Sequence, residues 1–160
     1  MLNEIKALIT RPEQQGLELQ QALNNISIST ICQPLFRYQI NISNEKIQQI
    51  IDKYPPDIII FISVAAVEFA HQALPLKQWL GKHLVIAVGE QTKRALSHFD
   101  VNAICPQSHN SEGVLELLQL KQQLNNDNKQ HVLIVRGDGG REFLAKELES
   151  KGAKTQYLES

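Results

Sequence analysis

Short apolar runs along this chain alternate with stretches in which apolar positions recur every three or four residues. Ile5 to Ile9 predicts a first strand, and Thr10-Arg11-Pro12 follows with proline placed for the first turn of a helix. That helix runs to about Leu23 and turns Leu17, Leu19, Ala22 and Leu23 toward its buried side. Ile28 to Leu35 alternates apolar and polar residues and predicts a second strand. Residues 37–56 are less regular, with a helix from Asn44 to Asp52 and Tyr54-Pro55-Pro56 as its stop.

Beyond that stop the pattern sharpens. Ile58-Ile59-Ile60-Phe61 is apolar throughout, as a strand covered on both faces should be. Ser63 can cap a helix to about Ala73. His83 to Val88 predicts a strand, Glu90 to Phe99 a helix, and Asn102 to Cys105 a short strand closed by Pro106. Ser111 opens a helix to about Leu124, and Asn125 to Asn128 form a loop. His131 to Val135 predicts a strand, Gly140 to Ser150 a helix, and Thr155 to Leu158 the start of a last strand.

This alternation predicts an α/β fold of parallel, flavodoxin-like βαβ units with right-handed crossovers. Ligands on such sheets bind beyond the carboxyl ends of the strands. The five later strands suffice for one doubly wound sheet. The first two either extend that sheet or open a second domain.

Composition narrows the class. A chain of 160 residues, 42% hydrophobic, can build one ordinary core. The net charge of −1 argues against a nucleic-acid binder. No apolar run approaches a membrane span, and the N-terminal residues form no signal peptide. Cys32 and Cys105 share no metal-type spacing, and the five histidines lack the spacing of a zinc site. The expectation is a soluble cytoplasmic protein with free thiols and no metal.

Candidate chemistry lies where strands hand over to helices through glycine. Val85 to Val88 leads to Gly89-Glu90-Gln91-Thr92, and Val132 to Arg136 leads to Gly137-Asp138-Gly139-Gly140-Arg141. Glycine lets main-chain N–H groups approach a ligand, and a helix N-terminus favours an anion there. A structural reading stands beside this one. Ser63 and Ser111 can simply cap helices, and Thr92 can bond its own backbone. Arg136 and Arg141 can pair with Asp138 or Glu142 at the surface. Trp79 and Phe99 read as packing residues, because no basic patch surrounds them. Gly137 to Gly140 lacks both the GxGxxG pattern and a P-loop lysine, which weakens a nucleotide-binding reading. A non-catalytic α/β domain that binds an anion or another ligand stays open.

Several short motifs occur in a fixed order: Ile9-Thr10-Arg11-Pro12, Pro34-Leu35, and Phe61-Ile62-Ser63-Val64-Ala65-Ala66-Val67. Ala87-Val88-Gly89 follows with Thr92 and Ala95-Leu96, then Ser111-Glu112-Gly113-Val114-Leu115. Arg136-Gly137 and Gly140-Arg141-Glu142-Phe143-Leu144 complete the series. In this order and spacing the chain resembles the uroporphyrinogen-III synthase family. The resemblance implies two similar α/β domains joined by a two-stranded linker, the chain crossing from one to the other and back. Residues 1–36 then open domain one, 37–56 hold linker and helix, and 57–160 form domain two. The rest of domain one lies beyond Ser160, in a C-terminal part that this chain lacks. The family's tyrosine at the return crossing falls just past Ser160, so Tyr157 does not match it. Ile62 stands where the family commonly has threonine, leaving Ser63 to act alone there.

The activity implied is a cofactor-free, cyclising hydro-lyase of haem biosynthesis. Hydroxymethylbilane loses water, and the ring closes to uroporphyrinogen III with the last pyrrole inverted. The resemblance assigns the hydroxyls of Thr92 and Ser63 to the reacting end. Substrate carboxylates would meet Thr10, Arg11, Ser63, Gly89, Gln91, Thr92, Ser111, Gly113, Arg136, Gly137, Gly140 and Arg141. It also implies a partner in the hydroxymethylbilane-producing deaminase, and a monomer when the chain is complete.

Overall fold

The chain opens with strand β1 (Lys6–Ile9), helix α1 (Glu13–Asn25) and strand β2 (Ser29–Cys32). The computed structural model describes residues 6–37, 43–81, 83–120, 130–137 and 142–159. It divides into two compact units, Met1–Gln39 and Ile40–Ser160. In the first, β1 and β2 pair in parallel, with Leu8 opposite Ile31 and Ile9 opposite Cys32. Helix α1 approaches this sheet at Gly16, where a Cβ would stand 2.7 Å from the Cys32 sulfur. A side chain there would have to displace the Cys32 thiol.

The expected buried stripe on α1 is not found. Leu17 and Ala22 are exposed, and Leu19 and Leu23 are half-buried. The helix rests on the row through Gly16, and two short strands offer little surface to cover the rest. Side chains alternate along a strand, so Leu8 and Ile31 point away from the face that Ile9 and Cys32 turn to α1. They stay 65% and 61% exposed.

The second unit begins with α2 (Asn44–Lys53), whose first turn is held by Ser43 Oγ accepting the Lys46 N–H at 3.3 Å. Then come β3 (Ile58–Phe61), α3 (Val64–Ala73), α4 (Leu76–Trp79), β4 (Leu84–Ala87) and α5 (Glu90–Ser97). Helix α6 (Ser111–Leu120), β5 (His131–Arg136), α7 (Phe143–Ser150) and β6 (Lys154–Glu159) complete it. The sheet runs β4-β3-β5-β6, and all its strands are parallel. Ile104 adds a single parallel bridge to Ile86 on the outer side of β4. The strand expected over Asn102 to Cys105 is reduced to that bridge, and Pro106 has no N–H with which to lengthen it. The expected loop Asn125–Asn128 and the end of its helix at Leu124 lie outside the described residues.

Two cores flank the sheet, divided by the parity of strand positions. Ile59, Phe61, Val85, Ala87, Leu133 and Val135 pack against α2, α3, α4 and α5. Ile58, Ile60, Ile86, Val132 and Ile134 pack against α6 and α7. Residues 37–56 therefore carry more than a connection, since Ile47 and Ile51 of α2 belong to the first core. The short helix α4 has no counterpart in the sequence reading. It follows Pro75 and buries Trp79, whose indole N–H donates to the Leu74 carbonyl at 3.1 Å. Phe99 stacks on His71, ring centroids 3.8 Å apart. Among the described residues, no helix is long and apolar enough to cross a membrane.

Candidate functional site

From β3 the chain moves outward through β4 to Ile104, then returns to the other side of β3 as β5. The order reverses between β3 and β5, and open α/β sheets bind ligands outside the carboxyl ends of strands at such a point. Here the helices that follow β3 and β5, α3 and α7, pack on opposite faces of the sheet. The ladder closes just below them, with the Ile62 N–H donating to Val135 at 3.2 Å and the Val88 N–H to Phe61 at 3.0 Å.

A cleft of about 480 Å³ opens at these ends on the side of α6 and α7. Ile62, Val88, Ile134 and Leu144 give it an apolar lining, and Asn110, Ser111, Glu112, Arg136 and Tyr157 line it with polar groups. A cavity of about 590 Å³ lies at the opposite end of β5 and β6, among Tyr54, His131, Glu149 and Lys154. Size favours that one, but the topology favours the cleft, which lies at the carboxyl ends of the strands.

The start of α6 is built by Asn110. Its Oδ1 accepts the Gly113 N–H at 2.8 Å, and its carbonyl accepts the Val114 N–H at 3.2 Å. Ser111 is therefore the first helical residue, and Asn110 is the cap. The half-buried Ser111 faces the cleft together with first-turn amides that have no partner within a helix. The partial positive charge of a helix N-terminus thus reaches the cleft wall.

Opposite stands a group from β5 and β6. Arg136 and Glu159 are paired in register. The guanidinium donates to one Glu159 oxygen through Nη2 at 2.6 Å and Nε at 2.8 Å. It also sits over the Tyr157 ring, 3.6 Å from its centroid. Arg136 is only 6% exposed. The Tyr157 hydroxyl is buried without a hydrogen-bond partner among the described residues. Burial pushes its pKa up, and the neighbouring guanidinium partly opposes that.

The other sequence candidates are distributed as follows. Ser63 caps α3, its Oγ accepting the Ala66 N–H at 3.1 Å. Thr92 is 4% exposed in the first turn of α5, whose Leu96 joins the core on the other side of the sheet. Gly89 caps α5 with extended backbone (φ −138°), Gln91 is exposed, and Gly137 is exposed just past Arg136. Ser111 and Arg136 line the cleft, and Gly113 is buried against Ser108. Thr10, half-buried, and Arg11, exposed, belong to the first unit. Gly140 and Arg141 lie outside the described residues. Sequence reasoning passed over Asn110, Tyr157 and Glu159 as site residues. The opposite charges of Arg136 and Glu159 were a usable signal, but only once the strand register is known.

Comparison with known proteins bears on this arrangement. The family model described as uroporphyrinogen-III synthase HemD matches residues 18–160. Uroporphyrinogen-III synthase of Salmonella typhimurium is 29% identical over 161 residues, covering 95% of this chain and 62% of the relative. That of Escherichia coli is 30% identical over 159 residues, with the same coverage of 95% and 62%. A mutant uroporphyrinogen III synthase of Thermus thermophilus superposes with a TM-score of 0.66 at 14% identity, covering 97% of this chain and 61% of that one. The wild-type enzyme of the same bacterium gives a TM-score of 0.57 at 15% identity, over 97% and 60%. At that identity the two structures show a shared fold. The chain spans about six-tenths of the length of the curated relatives it matches. With the family model running from the first helix to the last strand, the chain belongs to the uroporphyrinogen-III synthase family.

Proposed function

We propose that this chain acts in the closure of hydroxymethylbilane to uroporphyrinogen III. The observation that carries this reading is the family match over residues 18–160. The chemistry of the cleft supports it. Hydroxymethylbilane is a linear tetrapyrrole with carboxylates on its acetate and propionate arms. Loss of water from its hydroxymethyl group leaves an electrophilic azafulvene. The last pyrrole attacks through its substituted carbon to give a spiro intermediate, which fragments and recloses with that ring inverted.

Such a reaction depends on which carbon is held nearest, an effect of proximity and orientation. A cleft of about 480 Å³ with apolar lining suits a pyrrole ring. The positive end of α6 at Ser111 and Glu112, together with Arg136, suits its carboxylates. Ser63 and Thr92, at the starts of α3 and α5 and outside the lining of this cleft, are the hydroxyls that the family resemblance assigns to orient the leaving group. A hydroxyl that accepts one bond, as Ser63 does, still has an O–H to donate.

The reading has further parts. Residues 1–36 open a first domain whose remaining layers other residues supply, and the uncovered face of Leu8 and Ile31 supports this. The connection to domain two falls before α2, whose Ile47 and Ile51 already belong to the core of the second unit. The reaction needs no cofactor, takes its substrate from the deaminase that makes it, and runs in the cytoplasm on a monomer of the complete protein.

The test is isomer analysis by chromatography, with hydroxymethylbilane generated in place and this chain added in stoichiometric amount. Type III product in excess over the spontaneous type I is the expected result. Type I alone would overturn the reading for this chain. Thr92→Val should slow type III formation and leave folding intact; unchanged turnover would reduce Thr92 to a packing residue.

A further inference from the structure

Three unlike donor groups meet outside the cleft. Glu90 is the first residue of α5, Cys105 follows the Ile104 bridge, and His109 lies on the loop into α6. Their carboxylate oxygen, sulfur and imidazole nitrogen all lie within 4.8 Å of one another. We propose that Glu90, Cys105 and His109 bind one divalent transition-metal ion of the zinc type, leaving a fourth position to water.

The donor set sets the class of ion. A thiolate and an imidazole select zinc, cobalt or copper over magnesium or calcium, and three protein ligands with one open position is a common zinc arrangement. Zinc–ligand distances of about 2.0 to 2.3 Å put tetrahedral ligand atoms roughly 3.3 to 4 Å apart. The cluster therefore needs to contract by up to about 1.5 Å at its widest pair.

Charge and access agree with this. A thiolate and a carboxylate together balance a divalent ion. Burial and the Glu90 carboxylate raise the Cys105 pKa and hold its proton, while Lys93 opposes them. On metal entry that proton leaves to solvent as the sulfur–metal bond forms. Glu90 and His109 are exposed and open to an arriving ion, and the half-buried Cys105 anchors them. His109 already rests near Gly89, where an added Cβ would lie 3.9 Å from the His109 Cβ. The ion would fasten the loop that carries Asn110 and Ser111 to the start of α5, beside the cleft and independently of what the cleft binds.

Cobalt(II) titration of the full chain tests this through the thiolate-to-metal charge-transfer absorption. One saturating equivalent, displaced by zinc, is expected. Cys105→Ser should abolish the band, and His109→Ala should weaken binding by at least about tenfold, the scale on which even an outer-shell partner acts. Cys32→Ser should leave the titration unchanged, and circular dichroism checks that each variant is folded. No saturable band, or a band that survives Cys105→Ser or is lost in folded Cys32→Ser, would overturn the proposal.

Discussion

A Cβ on Gly113 would stand 2.0 Å from the carbonyl oxygen of Ser108. Helix α6 therefore starts in a space that only glycine fits, and Asn110 can cap it because the loop folds back this closely. Gly113→Ala should cost about 1 to 3 kcal/mol by displacing that loop. Gly89→Ala meets ordinary contact at 3.9 Å, so it should lose only the preference of an N-cap for glycine over alanine, under about 1 kcal/mol. Urea denaturation measures both, and equal midpoints would show that the Ser108 loop yields freely.

Ser63 supplies the acceptor for the first turn of α3. Removing it in Ser63→Ala should cost about 1 kcal/mol, whereas Ser63→Asn keeps an acceptor and should cost little. Thermal unfolding of the two variants separates the cap from other uses of the hydroxyl. Equal losses in both would show that the cap is not what Ser63 contributes to stability.

The Tyr157 hydroxyl is buried unpaired among the described residues. Tyr157→Phe should therefore leave stability unchanged or raise it by up to about 1 kcal/mol. A clear loss on denaturation would reveal a partner for that oxygen.

Alkali should weaken the fold in two stages. Burial raises the pKa of Cys105 from 9.0 and of Tyr157 from 10.0, so the native state holds both protons more tightly than the unfolded chain. Their contributions are full below those ordinary values and are lost as pH rises through the native ones. Cys105→Ser should remove the earlier stage and Tyr157→Phe the later. A stability profile that is flat above about pH 9 in the parent would contradict this.

Glu159→Gln takes from the nearly buried Arg136 side chain the carboxylate that it holds at 2.6 Å. Because the Glu159 side chain is 40% exposed, the loss should fall below that of a fully buried pair, at about 1 to 2 kcal/mol. Denaturation at low and high salt checks it, and no change at either would mean that solvent already satisfies the pair.

Local patterns carried most of the fold. Ile58 to Phe61 declared a central strand, and Ser63 declared the helix behind it, because burial on both faces and an N-cap both leave marks in adjacent residues. The apolar stripe on α1 misled, since its packing is set by the contact of Gly16 with Cys32 across the sheet. Ser111 looked like a cap because a serine in the first helical turn resembles one just before it; Asn110 holds the place. The contacts of Arg136 with Glu159 and Tyr157, and the meeting of Glu90, Cys105 and His109, depend on strand register and loop return, which no local spacing records.

The position of β3 also sets a timetable. One edge pairs with β4, which follows soon after, but the other waits for β5, and the Asp57–His131 contact at its foot spans 74 residues. At a synthesis rate of about 5 to 20 residues per second, that edge stays open for roughly 4 to 15 s on the ribosome. During this interval Ile58 and Ile60 have no neighbouring strand on that edge, α6 is made only toward its end, and the cover of α7 comes after it. Nascent β3 is thus the segment on which a chaperone, or a mispaired strand, would act first.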